Sequence, residues 1–120
     1  MTATVLIVED EADLGALLSD VLQTAGFTVV LTTSGRAEDR VRNFEPAAIV
    51  TDFMMPGMNG AEVVQNIRRV LMGAAPPVVL VTGMDNAEEL ATTVGATAYL
   101  RKPFDMDDFV RIVQRVVEQG

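Results

Sequence analysis

The sequence predicts an α/β domain: a five-stranded parallel sheet with helices on both faces. Three observations carry that reading. Strand-like and helix-like patterns alternate along the chain in five successive units. The strand-like runs are short and almost continuously apolar, as strands covered on both faces are. The 120 residues make one domain, expected over 1–120, which can bury roughly two thirds of its unfolded surface.

The first strand is expected at Thr4–Val8. Leu14, Leu17, Leu18, Val21, Leu22 and Ala25 then recur at helical spacing, and Gly26 ends that helix. Phe27–Leu31 reads as the second strand. A weaker helix follows from Ser34 to Phe44, with Ala37, Val41 and Phe44 facing inward and Pro46 as its stop. Ala47–Thr51 is the third strand. Pro56-Gly57-Met58-Asn59-Gly60 is a turn by composition. Asn59 and Glu62 then have the spacing of a capping box, before a helix with Val63, Val64, Ile67 and Val70 inward.

Pro76-Pro77 introduces the fourth strand, Val78–Thr82. Asn86 and Glu89 repeat the capping spacing for a helix that reaches about Val94, where Gly95 closes it. The fifth strand, Ala98–Leu100, is short. Asp105 is expected to cap the last helix, whose face is Phe109, Ile112, Val113, Val116 and Val117. Crossovers between parallel strands should be right-handed.

Composition narrows the chemistry. There is no cysteine and no histidine, which excludes disulfides, thiolate sites and imidazole catalysis. Any metal must be hard and oxygen-ligated, Mg²⁺ or Mn²⁺. A net charge of −8 argues against gripping nucleic acid or an anionic membrane. The apolar stretches are too short to span a bilayer. Met1-Thr2-Ala3-Thr4 leads into a strand without a basic leader, so secretion is not expected.

In parallel sheets, ligands bind outside the carboxyl ends of the strands. Those ends carry polar residues of different kinds: Glu9-Asp10, Asp52, Thr82, and Arg101-Lys102-Pro103. Two adjacent carboxylates at a buried strand end repel each other and lose hydration, and a divalent cation relieves both costs. A single such acid would read as a helix N-cap or first-turn residue. Two, with Asp52 from another strand, favour metal binding. Asp10-Glu11 is an alternative pair, but the strand length favours Glu9-Asp10.

Asp52 ends the most apolar strand and could be both ligand and nucleophile, since carboxylates form covalent phosphoryl intermediates. Attack on phosphorus needs charge neutralisation more than a base. The Thr82 hydroxyl can donate to a phosphoryl oxygen. Lys102, held by Pro103, could reach the same pocket. Arg101 should point to the other side, because side chains alternate along a strand.

Together these stretches resemble the receiver domain of two-component response regulators, over essentially the whole chain. The segments are Val8-Glu9-Asp10; Thr51-Asp52-Phe53-Met54-Met55-Pro56-Gly57-Met58-Asn59-Gly60; Val81-Thr82-Gly83; and Gly95 through Lys102-Pro103-Phe104. The resemblance implies a flavodoxin-like doubly wound sheet in strand order 2-1-3-4-5. It implies a cytoplasmic signalling switch in which Asp52 accepts phosphate from a histidine kinase or histidine phosphotransfer protein. Mg²⁺, or Mn²⁺, would be held by Glu9, Asp10, Asp52 and the backbone carbonyl of Met54. Thr82 and Lys102 would bind the phosphoryl oxygens. Thr82 and Tyr99 would form the switch, presenting a changed surface to an effector or a second copy. The Lys102–Pro103 bond would be cis. Glu9 stands where many relatives have Asp. Met54 and Met84 either shield the phosphoryl group and slow its hydrolysis or are ordinary loop packing.

Phosphatases of the haloacid dehalogenase type also use a strand-end aspartyl nucleophile. They need a second Asp two residues on, where this chain has Met54. A nucleotide hydrolase would need a glycine-rich loop with Lys-Ser/Thr, which is absent. A degenerate receiver that binds partners without phosphorylation is a third possibility, against which the intact acids, Thr82 and Lys102 argue. The chain is thus expected at most to phosphorylate and dephosphorylate itself, not to turn over a substrate.

Overall fold

The computed structural model describes residues 2–119. Five strands alternate with five helices: β1 (Thr4–Val8), α1 (Ala12–Thr24), β2 (Thr28–Thr32), α2 (Ala37–Phe44), β3 (Ala48–Asp52), α3 (Gly60–Val70), β4 (Val78–Thr82), α4 (Ala87–Val94), β5 (Ala98–Arg101) and α5 (Met106–Gln119). All neighbouring strands are parallel, in the order β2-β1-β3-β4-β5. This is the flavodoxin-like arrangement expected above.

The pleat divides the core into two apolar layers. Val5, Ile7, Ala48, Val50, Val79 and Val81 point to one side, where Leu18 and Leu22 of α1 and Phe109, Val113 and Val116 of α5 cover them. Leu6, Val8, Ile49, Val78 and Leu80 point to the other side. There Val41 of α2, Val63, Val64 and Ile67 of α3, and Ala91 and Val94 of α4 cover them.

Several ends differ from the sequence expectation, each for a local reason. β2 starts at Thr28, one residue later, because the Phe27 N–H still bonds back to the Leu22 carbonyl. β2 extends to Thr32, whose carbonyl accepts from Glu9 N–H. Asp52 is inside β3, in register with Val81. A 3-10 turn, Ser34–Arg36, replaces the first turn of the expected second helix. At α3 both capping-box bonds are made between Asn59 and Glu62, a cap typically worth about 1 kcal/mol. At α4 they are not. Asn86 has ψ 41° rather than an extended value, and its side chain turns to the Glu89 carboxylate instead of a backbone N–H.

One tie joins helices α3 and α4. The Arg68 guanidinium donates to the carbonyls of Val94 (3.0 Å) and Gly95 (3.1 Å), satisfying the C-terminal end of α4. Gly95 is left-handed at φ 75°, and a Cβ there would lie 2.7 Å from that guanidinium.

Candidate functional site

The carboxyl ends of the three central strands and the loop after β5 meet at one edge. Val8 is in register with Thr51, Asp52 with Val81, and Thr82 with Arg101. Lys102 N–H donates to the Thr82 carbonyl at 2.7 Å, which carries the end of β5 along β4. The Lys102–Pro103 peptide is cis.

Pleat parity sorts the polar residues. Continuing each strand's alternation places Glu9, Asp52 and Lys102 on the α1/α5 side, and Asp10, Thr82, Tyr99 and Arg101 on the α2–α4 side. The contacts follow this division. Lys102 Nζ donates to Asp52 Oδ2 at 2.6 Å, joining residues fifty positions apart. The other Asp52 oxygen accepts the Met54 N–H at 3.3 Å. Glu9 is near enough for both Asp52 and Lys102 to act on its charge. Arg101 turns the other way, into an exposed ion pair with Asp85.

Glu9 is the least satisfied acid of the set. Its Oε2 accepts the Glu11 N–H at 3.1 Å, while its Oε1 is buried without a hydrogen-bond partner among the described residues. Burial raises its pKa above the ordinary value, partly offset by the Glu11 N–H, with the Asp52 charge adding to the rise and the Lys102 ammonium opposing it. A buried, unpaired carboxylate oxygen on a group whose charge a second carboxylate opposes is an incomplete electrostatic arrangement, and a hard cation would complete it.

Asp10 is placed differently. Its Oδ1 accepts the Ser34 N–H and its Oδ2 the Ser34 hydroxyl, both at 2.8 Å. As placed, no three acids among the described residues stand close enough to ligate one ion. The donor chemistry therefore fits a hard divalent cation at Glu9 and Asp52, while Asp10 is engaged by Ser34. Sequence reasoning missed Ser34. Its only local signal, a small polar residue opening a helix, points to capping rather than to an acid in a distant loop.

Thr82 is fully buried, and its Oγ accepts the Met84 N–H at 3.2 Å, leaving its own O–H as a donor. Tyr99 is 37% exposed on edge strand β5. Met54 is 63% exposed and Met84 partly buried, so the two methionines have unlike surroundings. Gly60 also shapes the site and was not singled out from sequence as more than a turn residue. Its N–H donates to the Phe53 carbonyl at 2.7 Å, and a Cβ there would lie 2.6 Å from the Asp52 carbonyl. Only glycine lets α3 start this close to the strand that carries Asp52.

Known proteins share this architecture. The chain is similar to the crystal structure of chemotaxis protein CheY4 of Vibrio cholerae, with a TM-score of 0.88 and 29% identity over 97% of this chain and 99% of that one. It is 32% identical over 117 residues to the DNA-binding response regulator MtrA of Mycolicibacterium paratuberculosis, covering 95% of this chain and 51% of MtrA. It is 30% identical to the sensory transduction protein RegX3 of Mycobacterium bovis, covering 98% of this chain and 52% of RegX3. The chain thus spans about half the length of MtrA and RegX3. No helix among the described residues is long and apolar enough to cross a membrane. The family model of the response regulator receiver domain matches residues 5–114, and the chain belongs to that family.

Proposed function

We propose that this receiver domain is a phosphorylation-dependent switch whose acceptor is Asp52. The observation that carries this reading is the Lys102–Asp52 contact of 2.6 Å beside the buried, unpaired Glu9 oxygen. An Asp52 oxygen bonds to phosphorus as the N–P bond of a donor phosphohistidine breaks, and the electron pair leaves with the imidazole. The donor is a histidine kinase or a histidine phosphotransfer protein. Lys102, already at the acceptor, pairs with the negative charge that the phosphoryl group brings. The Thr82 hydroxyl donates to a second phosphoryl oxygen. Glu9, Asp52, the Met54 carbonyl and a reoriented Asp10 would hold Mg²⁺, or Mn²⁺, which when bound would supply positive charge against the transferring group.

Thr82 shares its side of the sheet with Tyr99 and lies one strand away. When Thr82 moves towards the phosphoryl group it opens space on that side, and the Tyr99 ring fills it. The surface around β5 then changes for an effector or a second copy of the chain. Binding energy at Asp52 biases two packings that already exist. We place the domain, taken as 1–120, in the cytoplasm with its donor kinase. The net charge of −8 gives this domain no grip of its own on nucleic acid.

Beryllofluoride with Mg²⁺, followed by amide NMR, tests the assignment. Saturable shifts that disappear in Asp52→Ala are expected. A wild-type protein that does not respond would remove the basis for the proposal.

A further inference from the structure

We infer that Ser34 is a positioning residue that holds Asp10 away from the cation site, so that cation binding and the start of the α2 region compete for one carboxylate. The inference rests on the switch reading above and adds a residue and a sign to it.

The two acids at the end of β1 have opposite surroundings. Glu9 is buried, with one oxygen unpaired and Asp52 close enough to act on its charge. Asp10, its neighbour, has both oxygens engaged by one residue, through the Ser34 N–H and hydroxyl at 2.8 Å each. The Ser34 N–H opens the 3-10 turn Ser34–Arg36, which leads directly into α2, and Thr33, the residue before it, makes no side-chain cap bond. Asp10 therefore serves as the cap of that turn from the loop after β1. The two hydrogen bonds are charge-assisted, the stronger kind. With Asp10 so held, no three carboxylates among the described residues converge. Each Asp10 oxygen keeps a lone pair beside its hydrogen bond, so the cost lies in moving the carboxylate: drawing it towards Glu9 and Asp52 loosens both bonds to Ser34. The affinity for the ion is reduced by whatever those bonds contribute.

The sign of this effect separates a positioning role from a structural one. Loss of a merely supporting residue weakens cation binding. Loss of a competing one strengthens it. Ser34→Ala removes the hydroxyl bond and keeps the N–H, so Mg²⁺ should bind on the order of threefold to tenfold more tightly. Ser34→Thr keeps the hydroxyl and should return the affinity to that of the wild type.

The test is calorimetric titration of the wild type, Ser34→Ala, Ser34→Thr and Asp10→Asn with Mg²⁺ alone. It is paired with amide hydrogen exchange at Ser34 in the wild type, which needs no variant to fold. Tighter binding by Ser34→Ala, rescue by Ser34→Thr, and faster Ser34 exchange with Mg²⁺ present are expected. Unchanged or weaker binding by Ser34→Ala, or Ser34 exchange that Mg²⁺ slows or leaves alone, overturns the inference while the Asp52 reading stands. A wild type that binds no Mg²⁺ overturns the cation site itself, and the inference with it.

Discussion

The central and edge strands of this sheet do different work. Every residue of β3 and β4 is buried, and these strands carry Asp52 and Thr82 at their ends. In β5 burial alternates, and it presents Tyr99 and Arg101 outward. β2, the other edge, is mostly exposed or half-buried. An acceptor on a strand packed on both faces has a fixed position, which phosphoryl transfer needs. A tyrosine on a half-exposed edge can change rotamer without disturbing the core. On the proposed reading, chemistry sits where the sheet is packed on both faces, and its readout where the sheet meets solvent.

The largest effect should come at the centre. Asp52→Asn should abolish acetyl phosphate labelling measured by intact mass, with the fold retained. Label persisting in that variant would move the acceptor elsewhere and break the comparison.

One substitution made at both places measures the difference in packing directly. Leu80 of β4 is 0% exposed, and Leu80→Ala should cost about 2–5 kcal/mol in denaturant unfolding. Leu31 of β2 is 40% exposed, and Leu31→Ala should cost about 1 kcal/mol. Equal losses would mean that the edge strand contributes as much to the core as the central one does.

Tyr99→Ala sharpens the readout side. Stability should change by no more than about 1 kcal/mol, since the ring is half-exposed on an edge strand. Labelling of Asp52 should continue, while the beryllofluoride-induced NMR shifts of α4 and β5 shrink. A variant that no longer takes up the label would place Tyr99 with the chemistry instead.

The smallest effect concerns Glu9. Burial, reinforced by Asp52, raises its pKa above 4.5, so the folded state holds this proton more tightly than the unfolded chain. The stability it adds is complete below the unfolded value and is lost as pH rises through the folded one. Without divalent cations, Glu9→Gln should therefore be more stable than the wild type at pH 7, by on the order of 1 kcal/mol. The advantage should vanish as pH falls towards 4.5. Thermal melts in chelator at the two pH values check it, and a variant that gains nothing at pH 7 would mean the carboxylate is not strained there.

The centre was also the more legible part of the sequence. The unbroken apolar runs of β1, β3 and β4 located Asp52 and Thr82 to within a residue of a strand end, because burial on both faces leaves little choice of residue. The α3 cap was legible because both partners lie within one turn. The same spacing failed at α4, where the backbone of Asn86 is turned out of the extended region, which its sequence does not signal. The Asp10–Ser34 pair was illegible for a different reason. It joins two loops 24 residues apart, and only the pairing of β1 with β2 brings them together.

The Arg68 fork has a mechanical consequence. It fastens α4 at its far end, at Val94 and Gly95, and leaves the end next to Gly83 and Met84 with no side-chain cap. A helix whose last carbonyls are tied and whose first N–H groups have no side-chain cap should fray first at the end beside the Thr82 loop, although Ala87 is buried there.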